Sequence, residues 1–117
     1  MKTIEIISIP VSDQQASKAF YQKLGFELLV DIPFGKDQQW IQLGFPGSQS
    51  SITLVTWFEK MPPGSVQGLV IKSEDVEGDY QNLLEKGIAV APIDKTPWGK
   101  FASFKDPDGN GLSFHQQ

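Results

Sequence analysis

The sequence contains no cysteine, no arginine and a single histidine among its 117 residues. Without cysteine there is no disulfide, no thiolate metal site and no thiol nucleophile. All 10 cationic side chains are lysines, so the planar fork that recognises phosphate, carboxylate or guanine in two-pronged fashion is missing. Against 14 carboxylates they leave a net charge of −4, and no basic stripe exists to release counterions from a phosphate backbone. Nucleic acid is therefore not an expected partner, and a neutral or cationic small molecule suits the field better. No apolar run approaches the roughly 20 residues of a membrane helix. Met1-Lys-Thr-Ile-Glu5 runs straight into a strand pattern rather than a leader, so a cytoplasmic protein without a membrane partner is expected.

What the chain does contain is punctuation and an internal echo. Near the end, Asp106-Pro-Asp-Gly-Asn110 joins two short apolar runs carrying Phe101, Phe104, Leu112 and Phe114. Pro107 presets one turn dihedral and Gly109 or Asn110 accepts positive φ, which spells a β-hairpin. At an offset of 62, Ile7 matches Leu69, Ile9 matches Ile71, Asp13 matches Asp75 and Gly25 matches Gly87. At an offset of 58, Trp40 matches Trp98 and Leu54 matches Leu112. Two copies of one strand–helix–strands unit follow, with the change of offset absorbed in loops. The chain reads as one domain, 1–117, with a first unit at 1–59, a join at 60–65 where Glu59-Lys-Met-Pro-Pro-Gly-Ser65 has linker character, and a second unit at 66–117.

Alternation predicts strands over 3–11, 26–31, 39–45 and 52–58, then 67–72, 88–91 and the closing hairpin, with 92–98 as loop. Ser12 or Asp13 caps a first helix whose stripe is Ala16, Ala19, Phe20 and Leu24. Asp75 caps a second carrying Val76, Tyr80, Leu83 and Leu84. Gly25 and Gly87 stand where a left-handed residue ends each helix.

Ile9-Pro-Val-Ser-Asp13, Phe20-Tyr-Gln-Lys-Leu-Gly-Phe26, Trp98-Gly99 and Asp106-Pro-Asp-Gly-Asn110 together resemble the vicinal oxygen chelate superfamily, the group of glyoxalase I, the bleomycin resistance proteins and the extradiol dioxygenases. The resemblance covers the whole chain and implies an α+β fold of two βαβββ units whose curved sheets form an open half-barrel around a cavity, commonly completed by a second subunit as a homodimer. In metal-using members the ligands are His, Glu or Gln on the first and last strands of each unit. Carried over by motif, those positions hold Ile6, Gly68, Ser113, and Val55 or, with a gapped loop, Thr53. None is a competent ligand for a divalent metal, so no metal and no cofactor is expected.

The face opposite the helices is expected to carry Ile6, Ser8, Trp40, Gln42, Thr53, Val55, Val70, Lys72, Phe101, Ser103 and Ser113, with Trp57 and Trp98 at the rim. Such a lining, apolar and aromatic with a few hydroxyl, amide and ammonium groups, suits a small molecule. Lys72 either holds an anionic or carbonyl group or snorkels to water. His115 shares the face of Ser113 but reads as a partly exposed residue at a fraying end. Asp106 and Asp108 read as turn-builders, and no catalytic constellation is legible. The resemblance thus points to a metal-free small-molecule-binding protein similar to the bleomycin resistance proteins, holding an aromatic or cationic ligand. The alternatives are a metal-dependent glyoxalase-type lyase or dioxygenase with ligands elsewhere, and an interaction module whose aromatics fill its own cavity.

Overall fold

The computed structural model describes all residues from Met1 to Gln117. The first unit comprises β1 (Ile6–Pro10), α1 (Gln14–Lys23), β2 (Glu27–Pro33), β3 (Gln39–Gly44) and β4 (Ser51–Val55). The second comprises β5 (Leu69–Lys72), α2 (Val76–Glu85), β6 (Asp94–Thr96), β7 (Gly99–Lys105) and β8 (Gly111–Gln116). Each is an open four-stranded sheet of the same order, β1-β4-β3-β2 and β5-β8-β7-β6. In both, the first strand runs parallel to the last and the other neighbours are antiparallel. Two βαβββ units are therefore present, as the internal repeat predicts.

The repeat holds to the residue at the helices. Asp13 accepts hydrogen bonds from the amides of Gln15 and Ala16, and Asp75 from that of Gly78, so each carboxylate satisfies amides that the helix start leaves without partners. Gly25 and Gly87 sit at φ 107° and 79°, each one residue past the C-cap that follows its helix, a conformation that side chains with a Cβ resist.

Three expectations need correction. Ala16 and Ala19 face solvent, and α1 instead buries Ser17, Tyr21 and Leu24 with Phe20 half-buried. Rotating the helix toward Tyr21 removes far more apolar area from water than two alanine methyls offer. On α2, Leu84 is likewise exposed while Val76 and Leu83 are buried. No strand forms over 88–91, where Val90 makes only an isolated bridge to Phe104; the edge strand is 94–96, in the stretch expected to be loop. Pro92 lacks an amide to extend the ladder, whereas Thr96 Oγ1 donates to the Gly99 carbonyl and accepts from the Trp98 amide, closing a tight β6–β7 turn.

The register also revises the repeat in the last strands. Ile7 pairs with Ile52 and Leu69 with Leu112, so Leu112 is the counterpart of Ile52 rather than of Leu54. Thr53 then corresponds to Ser113. Gln42, opposite Thr53, corresponds to Ser103, opposite Ser113, and two residues back Trp40 corresponds to Phe101 rather than to Trp98.

Helix-side residues of both units merge into one core, in which Ile9, Tyr21, Leu43 and Leu54 join Val76, Leu83, Phe104 and Phe114. A polar clamp locks the same seam. Buried Asp106 accepts from the Tyr21 hydroxyl at 2.8 Å, from the amides of Asp108 and Asn110, and from Asn110 Nδ2. Asn110 Nδ2 also donates to the Pro10 carbonyl across the seam at 2.9 Å, and Asp108 accepts from the Ser12 amide and hydroxyl. Burial first and the Asp106 carboxylate second push the Tyr21 phenol far above its usual range, which keeps it a neutral donor. The turn-building role expected for Asp106 and Asp108 is therefore only half of what they do.

Candidate ligand-binding faces

Two recesses of similar size compete for a ligand. A crevice of about 640 Å³ lies between the units, with Ile7, Phe26 and Phe45 on one wall and Leu69, Ile71 and Phe114 on the other. Its floor continues the shared core, and its rim carries Lys72 and Glu74 beside Asp75, which caps α2, and Asp79, which accepts the Ser73 hydroxyl. The other recess, about 630 Å³, opens on the second sheet's face away from α2 and is lined by Gly68, Ala91, Ser103, Lys105 and Ser113 among others. Here polar groups remain at the surface. Ser103 is exposed, and its hydroxyl meets that of Ser113 at 2.9 Å. The recess on the second sheet therefore offers a ligand exposed hydroxyls beside apolar surface.

On the first sheet the structure brings together Ile6, Ser8, Thr53, Val55, Trp40 and Gln42. Ser8 and Gln42 flank Thr53 in register, and Ile6 and Val55 lie two residues along their strands. A relay orders this face: Trp40 Nε1 donates to Gln42 Oε1 at 3.1 Å, Gln42 Nε2 donates to Ser51 Oγ at 2.8 Å, and Ser51 Oγ donates to the Glu5 carbonyl at 3.2 Å. Each member of that relay is bonded to the next, which orients the amide and the indole. At one end, Phe34, Trp40 and Trp57 cluster, with the two indoles stacked at 6.2 Å and Phe34 set edgewise 4.8 Å from Trp57. Phe34 was not among the expected residues, though its place between Pro33 and Gly35, next to the strand that carries Trp40, was a readable signal.

On the second sheet the structure gathers Val70, Lys72, Phe101, Ser103 and Ser113 on one face, through the pairs Val70 with Ser113 and Ser103 with Ser113. Trp98 projects from the β6–β7 turn and is 72% exposed. The two sets of residues do not share a recess within one chain; the recess that holds Ser103 and Ser113 is lined by the second unit alone. Leu29 and Ile32 of the first sheet, and Val70 and Trp98 of the second unit, leave large apolar side chains in water.

His115 departs from its expected place at a loose end. It lies within β8, paired with Lys72 on one side and Phe101 on the other, and its carbonyl accepts from the Ser73 amide. Its ring sits 4.5 Å from that of Phe101, and Nε2 lies 2.7 Å from the Trp98 carbonyl oxygen.

The residues present do not fit the divalent metal that the resemblance brings to mind. Ile6, Gly68 and Ser113 occupy the ligand positions, the register selects Thr53 over Val55 for the fourth, and none offers an imidazole or carboxylate. No group of three or more His, Asp or Glu side chains converges anywhere in the chain.

No helix is long and apolar enough to cross a membrane. Among solved structures, TnmS3, an antibiotic binding protein from Streptomyces sp. CB03234, superposes with a TM-score of 0.94 at 44% identity, over 99% of this chain and 96% of that one. The uncharacterized protein YetH of Bacillus subtilis (strain 168) is 32% identical over 115 residues, 94% of each chain. Lactoylglutathione lyase from Agrobacterium tumefaciens, at 15% identity and a TM-score of 0.78, shares the fold. Residues 3–114 match the profile described as Glyoxalase/Bleomycin resistance protein/Dioxygenase superfamily, and the chain belongs to that superfamily.

Proposed function

We propose that this protein binds a small aromatic or cationic compound on its outer sheet faces and holds it without transforming it, as a sequestering or carrying protein similar to the bleomycin resistance proteins. The observation that carries the reading is the Phe34, Trp40 and Trp57 cluster beside the ordered Gln42 amide. Aromatic faces supply area and affinity, and a fixed polar group supplies orientation. The similarity to an antibiotic binding protein at 44% identity supports an antibiotic-like ligand. Because the two faces do not meet in one chain, the binding site is completed by a homodimer that sets the first sheet of one chain against the second sheet of its partner, covering the exposed Ile32 and Val70.

Calorimetric titration with bleomycin and a panel of polycyclic aromatic antibiotics, combined with mass spectrometry of the recovered compound and sedimentation of the protein, tests this. A tight complex, an unchanged ligand and a dimer are expected. Turnover of the ligand, or a monomer that binds nothing in the panel, would sink the reading.

A further inference from the structure

We propose that His115 is a hydrogen-bond acceptor, aligned by its surroundings, that selects ligands bearing an acidic hydroxyl such as a phenol or enol; this rests on the binding function proposed above and narrows its ligand class. A carbonyl oxygen can only accept, so the 2.7 Å contact between His115 Nε2 and the Trp98 carbonyl requires the proton on Nε2. In the neutral ring Nδ1 then carries a lone pair, and no group of the chain donates to it.

The ring's position is built rather than incidental. Phe101 packs against one side at 4.5 Å between centroids. The Trp98 carbonyl comes within reach because the next residue is glycine: a Cβ at Gly99, which has φ 119°, would stand 2.7 Å from His115 Nε2 and would also meet the Gln116 carbonyl. Only glycine permits the approach.

The neighbours define what the acceptor meets. Lys72 lies across from His115 on β5 and is exposed, and Ser113 is the next residue on the same face of β8. The other charges on that face are Lys105 of β7, beyond Ser103, and Asp94 of β6, one strand further out and opposite Phe101. Register sets the Lys72 ammonium on the strand next to His115, on the same face. That ammonium repels a cationic N–H donor, but it favours a hydroxyl whose oxygen gains negative charge as it donates. An aromatic hydroxyl satisfies both groups at once, while Phe101 supplies a surface for its ring.

The corresponding positions of the first unit show that the fold does not demand this pair. There Pro10 pairs with Val55, and both are buried.

The test compares 2-naphthol with 2-methoxynaphthalene, which has the same ring system but no donor, by calorimetry and by nitrogen NMR of the one imidazole in the chain. The wild type is expected to bind 2-naphthol about three- to tenfold more tightly, the span of one net hydrogen bond. His115→Phe keeps the stacking and is expected to equalise the two affinities by weakening 2-naphthol alone. In the wild type, free protein should show the Nε2–H tautomer, and 2-naphthol should shift the Nδ1 resonance while the methoxy compound leaves it in place. If both compounds bind equally to the wild type, or if the free ring carries its proton on Nδ1, the assignment of His115 falls while the binding function stands. If neither compound binds and the antibiotic panel also fails, both fall together.

Discussion

On β4 of the first unit, Val55 stands opposite Pro10 with Trp40 on the neighbouring strand. At the matching place in the second unit, β8 carries His115 opposite Lys72 with Phe101 alongside. The helix-side positions show no such divergence: Ile7 matches Leu69, Ile9 matches Ile71, and Leu54 matches Phe114, apolar for apolar. Both units give those side chains to one core, which constrains them in volume and polarity. The outer faces do not contribute to that shared core and have separated, one toward stacked indoles and an amide relay, the other toward hydroxyls, an ammonium and an imidazole. In the proposed dimer, one face of each kind would give a ligand an aromatic wall and a polar wall.

The likeness of the inner faces is the side of the comparison easiest to break. Leu54→Ala and Phe114→Ala remove matched buried side chains, and each is expected to cost about 3–5 kcal/mol in urea unfolding. Because the core is shared, both variants should still unfold in a single transition seen alike by tryptophan fluorescence and far-ultraviolet circular dichroism. All three tryptophans are informative here, since two sit in the first unit and one in the second. Separate transitions for the two probes would show that the units fold independently.

The turns between the last two strands of each unit come next. Asp106 is buried and accepts four hydrogen bonds in the β7–β8 turn, including the one from Tyr21 across the seam. Asp106→Ala strands buried donors and is expected to cost about 2–4 kcal/mol. The β3–β4 loop has nothing comparable: Ser48 is exposed and its hydroxyl bonds only to Ser50, so Ser48→Ala should stay within about 0.5 kcal/mol. Equal effects at the two sites would remove the asymmetry.

A smaller pair of changes exchanges the outer-face residues. Val55→His places an imidazole where the wild type is 2% exposed and should cost about 1–3 kcal/mol. His115→Val loses one hydrogen bond to the Trp98 carbonyl at a half-buried site and should cost about 1 kcal/mol or less. Thermal unfolding of the two variants checks the order.

How much of this was legible from residues alone follows the same divide. The helix caps, the strand–helix order and the superfamily were readable because Asp13, Gly25, Asp75 and Gly87 each do a local job that leaves a local mark. The rotation of α1 was not, since alanine and tyrosine both satisfy the period and only the volume of the facing sheet chooses between them. The edge strand 94–96 was missed because a three-residue strand carries almost no periodicity. Its turn is held by the Thr96 hydroxyl rather than by an Asn-Gly pair. The outer-face residues were expected to line one cavity, and within one chain the register sets them on two separate sheets. Alternation tells which side of a sheet a residue takes; it does not tell which other sheet that side meets. His115 was set aside for lack of a second metal ligand, whereas its partners are a backbone carbonyl and an aromatic ring that no motif encodes.

The smallest expected difference concerns the ion pairs that tie each helix to its sheet. In the first unit Lys18 of α1 meets Asp31 of β2 at 2.8 Å with both side chains about one-fifth exposed; in the second Lys100 of β7 meets Glu77 of α2 at 2.9 Å in a wetter setting. Hydrogen bonds from Lys18 and from Gln39 hold the Asp31 carboxyl below its ordinary value of 3.8. A carboxyl depressed on folding stabilises the native state above its unfolded pKa, and that contribution is lost as the pH falls through the folded value. Lys18→Met is therefore expected to cost at most about 1 kcal/mol at about pH 6, with the gap from wild type narrowing as the pH drops past 3.8 and closing below the depressed value. Lys100→Met, at the more exposed pair, should leave unfolding unchanged at both pH values. Urea midpoints of both variants at about pH 6 and about pH 3, in low and high salt, separate the two pairs. If the Lys18→Met gap persists at the acid end, the pair acts through the packing of its lysine stem rather than through charge, and the two units are tied in the same way after all.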